Sequence, residues 1–191
     1  MEPIKIIAVA GTNGSGKDTL GEVLADYDWL AVSVSDFLRD EVKKRGLPVE
    51  RENLRMVSAE WRRQYGMGVL VDKAVERFKQ TDRRYRGVVA IPMRNAGEAK
   101  HAKDLGATLV WVDADPQLRY QRIYSRQRSP EDQKTFEQFQ AEEQAEIHRT
   151  GDKATLSLAA VKDLADIFIT NDSNNLQDFR QIVQKALKDL I

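Results

Sequence analysis

The sequence predicts an α/β fold, a parallel sheet covered on both faces by helices, and three observations carry that reading. Short apolar segments recur at Ile4 to Ala10, Leu30 to Val34, Gly87 to Pro92, Thr108 to Val112 and Ile167 to Thr170. Between them lie longer stretches whose apolar residues fall three and four apart, so strand-like and helix-like periods alternate. A glycine-rich loop, Gly11 to Gly16, ends the first apolar run and leads into a helical pattern.

Each element has a local reason. Ile4 to Ala10 is an almost unbroken apolar run, as suits a central parallel strand buried on both faces. A helix is expected from about Lys17 to Asp26 and a second strand at Leu30 to Val34. Ser35-Asp36 then caps a helix that runs to Lys44 and stops at Gly46-Leu47-Pro48. Leu54, Val57, Trp61 and Tyr65, at spacings of 3, 4 and 4, share one helix face and read as core packing. After Gly66 and Gly68 a further amphipathic helix carries Leu70, Ala74 and Phe78, and Gly87 to Pro92 supplies the third strand. Thr108 to Val112 is followed by Asp115, placed to cap a helix whose first residue is Pro116. Ile167 to Thr170 leads into the polar turn Asn171-Asp172-Ser173-Asn174 and a closing helix through Leu176, Phe179, Ile182, Val183, Ala186, Leu187 and Leu190. The segment from about 126 to 155 is polar, with Glu137, Glu142, Glu143 and Glu146 among glutamines. It reads either as a helical flap or as a surface helical hairpin.

Composition bounds what the chain does. Its 191 residues suit one domain spanning 1–191, and no apolar run approaches the roughly 20 residues that cross a bilayer. A cytoplasmic protein without membrane partners is expected, and the apolar N-terminal stretch reads as a strand and not as a signal peptide. Thirty basic residues balance thirty acidic ones, so nucleic acid is not an expected partner and any anion site must be local. Without cysteines, and with only His101 and His148 as imidazoles, any metal is expected on oxygen ligands and phosphates. Oligomeric state leaves no mark in the sequence.

The strongest motif is Gly11-Thr12-Asn13-Gly14-Ser15-Gly16-Lys17, a GxxxxGK pattern set between a predicted strand and a predicted helix. Glycines let such a loop curl until its amides face inward, and the helix start adds positive potential to that nest. Gly11, Asn13, Gly14, Ser15, Gly16 and Lys17 are therefore candidates for holding ATP, with Lys17 also placed to offset charge on a moving phosphoryl group. The pattern usually closes in Ser or Thr for Mg2+, but Asp18 follows the lysine and the hydroxyl comes at Thr19.

These residues resemble the adenylate kinase and nucleoside monophosphate kinase group, where Gly-Lys-Gly-Thr is usual and Gly-Lys-Asp-Thr occurs in some deoxynucleotide kinases. The resemblance implies a three-layer P-loop kinase fold with a five-stranded parallel sheet in the order 2-3-1-4-5. A helical acceptor cap at about 36–80 and a short helical lid at about 127–155 would complete it. Thr19 would meet the α-phosphate. Ser33-Val34-Ser35-Asp36-Phe37-Leu38-Arg39 is similar to the family's Gly-Asp-Met-Leu-Arg stretch, which assigns Asp36 and Arg39 to the acceptor. A guanidinium fork suits that task because it matches phosphate oxygens bidentately. Ile91-Pro92-Met93-Arg94 stands where the family has Asp-Gly-Phe-Pro-Arg, making Arg94 a second clamp and a catalytic candidate.

Arg119, Arg122 and Arg126 share a helix face at spacings of 3 and 4, a pattern that equally describes a solvated basic surface. The similarity to the helix that enters the adenylate kinase lid gives Arg122 to the donor base and Arg126 to the phosphates during transfer. The acidic residue that organises magnesium is missing from Val88-Val89-Ala90-Ile91. Either Asp18, the metal candidate, or Asp113 supplies that charge from elsewhere.

Over most of its length the chain resembles a group related to adenylate and dephospho-CoA kinases. Asp36 to Glu41, Glu52-Asn53-Leu54 and Ala165 to Asn171 carry the likeness, and it places Asn171 beside the donor base. The expected activity is transfer of the γ-phosphate of ATP, with Mg2+, to a small phosphorylated acceptor, foremost a nucleoside monophosphate. Two alternatives stand beside it. One is a dephospho-CoA kinase using Asp36 as base, and the other a regulatory nucleotide-binding protein without transfer activity.

Overall fold

The computed structural model of the chain describes residues 3–82, 84–126, 133–147 and 151–191. Parts of the expected lid, 127–132 and 148–150, lie outside the described residues. The sheet has five strands, β1 (Lys5–Gly11), β2 (Trp29–Ser33), β3 (Gly87–Ile91), β4 (Thr108–Asp113) and β5 (Ile167–Thr170). All neighbouring pairs are parallel and the order is β2-β3-β1-β4-β5, the order implied by the family resemblance.

Two layers of helices cover this sheet, and β1 shows why both are needed. Ile6, Ala8 and Ala10 point to one face and Ile7 and Val9 to the other, every one of them buried. On the first face they pack with Leu38 and Val42 of α2 (Val34–Lys44), Val57 of α3 (Arg51–Tyr65) and Val71 and Ala74 of α4 (Val69–Lys79). On the second face they meet Leu20, Val23 and Leu24 of α1 (Lys17–Ala25) and Phe179 and Val183 of the C-terminal helix Leu176–Ala186. A strand enclosed on both sides has no polar face to show, which accounts for the unbroken apolar run.

Two helices were absent from the sequence reading. The first, α5 (Ala96–Asp104), joins β3 to β4 and buries only Glu98, Ala99 and Ala102, too weak an apolar stripe to register. Its start is fixed by Asn95, whose side chain accepts hydrogen bonds from the amides of Gly97 and Glu98. After β4 come α6 (Pro116–Arg126) and α7 (Phe136–Ile147), then the second unread helix, α8 (Leu158–Asp163), and finally α9 (Leu176–Ala186). One expected core residue is exposed: α3 ends at Tyr65, so that ring stands at the free end of its helix, 60% accessible. Leu176, on the first turn of α9, is exposed for the same reason of position.

Candidate functional site

The glycine loop curls between β1 and α1, and its conformation is enforced at particular residues. Gly11 sits at φ 142°, and a Cβ there would lie 1.9 Å from the carbonyl oxygen of Val112 on β4. Gly14 and Gly16 occupy the left-handed region at φ 76° and 98°. Protein donors then take up the loop's carbonyl oxygens one by one. Arg119 Nη1 donates to Asn13 O at 3.4 Å, Arg122 Nη1 to Gly14 O at 3.3 Å and Asn171 Nδ2 to Ser15 O at 2.9 Å. Thr12 O accepts from Ser15 Oγ at 2.9 Å and from the Lys17 ammonium. With the carbonyls drawn outward the amides turn inward. Among the described residues no backbone acceptor is paired with the amides of Asn13, Gly14, Ser15 or Gly16. This is the geometry of an anion nest at a helix start.

Asp113, at the end of β4, braces the loop from behind. Its Oδ1 accepts from Thr12 Oγ1 at 2.6 Å and from the amide of Ala114 at 2.9 Å, and lies 3.6 Å from Arg119 Nε. Asp18, by contrast, lines the open cleft with Thr19. Of the two carboxylates considered for magnesium, Asp113 is thus committed to holding the loop, and Asp18 faces the space a ligand would enter.

Lys17 is 8% exposed. Burial, reinforced by the nearby Arg94 charge, lowers its ammonium pKa from about 10.5 to about 7, while Asp18 and Glu146 pull the other way. An ammonium destabilised in this way is stabilised again by any anion placed beside it.

A cleft of about 1450 Å³ opens above the loop. Asn13, Gly14, Gly16, Lys17, Asp18 and Thr19 form its floor. Asp36 and Arg39 approach from α2, Arg94 from beyond β3, and Arg122 and Arg126 from α6. Gly11, Ser15 and Asn171 lie under the loop and not on the cleft wall. Ser15 is fully buried, and a Cβ on Gly16 would come within 2.5 Å of Asn171 Nδ2. Arg39 Nη1 is 2.5 Å from Asp36 Oδ1, one turn back on the same helix. Arg94 Nη1 meets Glu146 Oε1 of α7 at 2.6 Å. Arg122 is tied down by Asn174 Oδ1 at 3.0 Å and by the carbonyls of Asn171 and Ser173, both at 2.9 Å.

Several residues of this site escaped the sequence reading. Arg51 and Arg55 of α3 line the cleft beside Arg94, and Glu146 closes it from α7. Arg62, 2% exposed, donates through Nε and Nη2 to Glu98 Oε1 at 2.9 and 2.8 Å, and through Nη1 to Ala154 O at 3.0 Å. Burial raises the Glu98 carboxyl above its ordinary range, and the Arg62 charge offsets part of that. Asn95 Nδ2 adds bonds to the carbonyls of Lys153 and Thr155, at 2.8 and 2.6 Å. The segment after α7 is thereby fastened to Arg62 of α3 and to Asn95 at the start of α5. A signal was present: Arg51, Arg55, Ser58 and Arg62 recur at spacings of 4, 3 and 4, a polar stripe beside the apolar one.

A parallel sheet in this order, with a glycine loop at the end of β1 and a buried lysine on the following helix, defines a P-loop kinase-like protein. The AAA domain family matches residues 7–148, and the chain belongs to that family. Among relatives, the UPF0200 protein of Thermococcus sibiricus is 29% identical over 185 residues, covering 95% of this chain and 93% of its own. The UPF0200 protein of Sulfurisphaera tokodaii is 29% identical over 193 residues, covering 100% of both. Among solved structures, shikimate kinase from Bacteroides thetaiotaomicron superposes with a TM-score of 0.61 at 13% identity, covering 98% of both chains. Dephospho-CoA kinase from Campylobacter jejuni superposes with a TM-score of 0.54 at 16% identity, again over 98% of both. These last two likenesses are likenesses of fold. Among the described residues, no helix is long and apolar enough to cross a membrane.

Proposed function

We propose that this protein transfers the γ-phosphate of ATP to a small phosphorylated acceptor, a nucleoside monophosphate being the first candidate. The observation that carries the reading is the convergence on one cleft of the inward-facing loop amides, Lys17, Arg39 and Arg94. At about 1450 Å³ the cleft exceeds the roughly 300–1,000 Å³ of an ordinary small-molecule site, which suits two ligands side by side.

In this scheme the loop from Gly11 to Thr19 cradles the donor phosphates and Lys17 reaches between the outer ones. Arg94 and Arg126 offset charge on the group in transit, and Arg39 holds the acceptor's phosphate. Asp18 is the residue that would hold Mg2+ jointly with the phosphates, Thr19 would meet the α-phosphate, and the ion would supply further neutralisation of charge. Among the described residues, no group of three or more His, Asp or Glu side chains could hold a metal. Helices from 36 to 80 would form the acceptor cap and 127–155 the lid of a single domain working in the cytoplasm.

The dephospho-CoA kinase reading needs a base to take a hydroxyl proton, and its candidate, Asp36, is held by Arg39 at 2.5 Å. An acceptor that attacks through its own phosphate oxygen needs none. A coupled assay of ADP formation from ATP, run with a panel of nucleoside monophosphates and with dephospho-CoA, tests the proposal. Turnover with a nucleotide supports it, turnover with dephospho-CoA alone replaces it, and tight ATP binding without turnover points to a regulatory protein.

A further inference from the structure

Helix α7 is held in place in an unusual way. Its one buried residue is Phe139, which packs beside Tyr120 and Phe136 with ring centroids 5.9 and 6.3 Å away. The rest of its attachment is ionic. Glu142 lies 3.7 Å from Arg51 Nη1, and Glu143 grips Arg119, with its Oε2 accepting from Nη2 at 2.8 Å. Glu146 sits 2.6 Å from Arg94 and 3.8 Å from Arg55, and its side chain is only 11% exposed. A helix with so little apolar burial belongs to the low-stability end of the molecule and can be re-seated without unfolding the rest.

The position of Glu146 is the informative one. It lines the same cleft as the glycine loop and Lys17, and there it meets the guanidinium of Arg94. A carboxylate and a phosphate compete for the same face of a guanidinium fork, since both present paired oxygens to it. We propose that Glu146 is an internal anion that holds Arg94 at the phosphate station of the cleft and is exchanged for a ligand phosphate. It thereby sets the affinity threshold for entry and links the seating of α7 to occupancy. The inference rests on the reading of the cleft as a phosphate site and adds a specificity-determining residue to it. A dianionic phosphate outbids the single charge of the carboxylate, so ligands that bring only one weakly held charge gain nothing by displacing it.

Pyrophosphate is the probe, titrated calorimetrically into the full chain at pH 6.5, where Lys17 is mostly charged. Glu146→Gln keeps the side chain's shape and removes its charge, and should tighten the pyrophosphate Kd about five- to tenfold, the range of modest internal coupling. Glu137→Gln, on the same helix but outside the cleft, should leave it unchanged. In an Arg94→Met background, Glu146→Gln should change the Kd less than twofold, because the fork for which the two anions compete is gone. Unchanged or weaker binding in Glu146→Gln, or the same tightening without Arg94, overturns the exchange while leaving the phosphate site standing. No pyrophosphate binding by any of the proteins overturns both.

Discussion

Replacing the ligand-free environment of Lys17 by a polyphosphate should draw a proton from solution, and the amount follows from the site. With its pKa lowered to about 7, Lys17 in the ligand-free protein carries only about 0.1 proton at pH 8. A phosphate dianion against the ammonium favours the charged form, so the bound state is almost fully protonated and about 0.9 proton is taken up per ATP bound. Binding should then weaken by nearly tenfold per pH unit above 8. For folding the sign is opposite to the usual lysine case. The unfolded chain binds the extra proton between about pH 7 and 10.5, so Lys17 makes the ligand-free protein more stable as pH rises through that window. Calorimetric titration of ATP at pH 8 in buffers of different ionisation enthalpy measures the uptake. Lys17→Arg, whose charge does not titrate, supplies the baseline for protons that ATP and other groups exchange. Equal apparent enthalpies in the two buffers for the wild type, or the same uptake in Lys17→Arg, would refute the argument that this lysine is held near neutrality until an anion arrives.

Other consequences are open to mutation. Arg62→Leu strands Glu98 in the interior and should cost about 3–5 kcal/mol in urea unfolding, whereas Arg62→Leu with Glu98→Leu should recover most of the loss. Gly16→Ala forces a side chain into φ 98° and to within 2.5 Å of Asn171 Nδ2, and should weaken ATP binding more than tenfold in a titration. If binding survives it, the loop is not held as described. Together with the pyrophosphate series on Glu146, these changes probe the floor, wall and roof of the cleft separately.

The sheet could be read from the chain because a parallel strand covered on both faces leaves an unmistakable apolar run, and the loop because its glycines and lysine act locally. Where packing is done by small residues the signal fades: α5 holds the sheet with Ala99 and Ala102, and composition hid it. Periodicity also overreached at Tyr65, since spacing tells which face a residue shares but not where its neighbours stop. In the site, Arg39 and Arg94 were found through resemblance to known kinases, having no local mark of their own. Glu146 was out of reach for a different reason: its meeting with Arg94 spans 52 residues, and one glutamate in a glutamate-rich segment looks like any other until the fold brings it home.

Arg122 has a consequence of its own for how this scaffold can vary. Its flat, forked head spans the loop after β1 and the loop after β5, donating from Nε, Nη1 and Nη2 to main-chain and amide oxygens on both. A lysine in its place would keep the charge yet reach only a single point, leaving carbonyls on one of the two loops unserved. Substitution at this position therefore amounts to respacing the two loops, and a chain carrying lysine there must hold them together by some other tie.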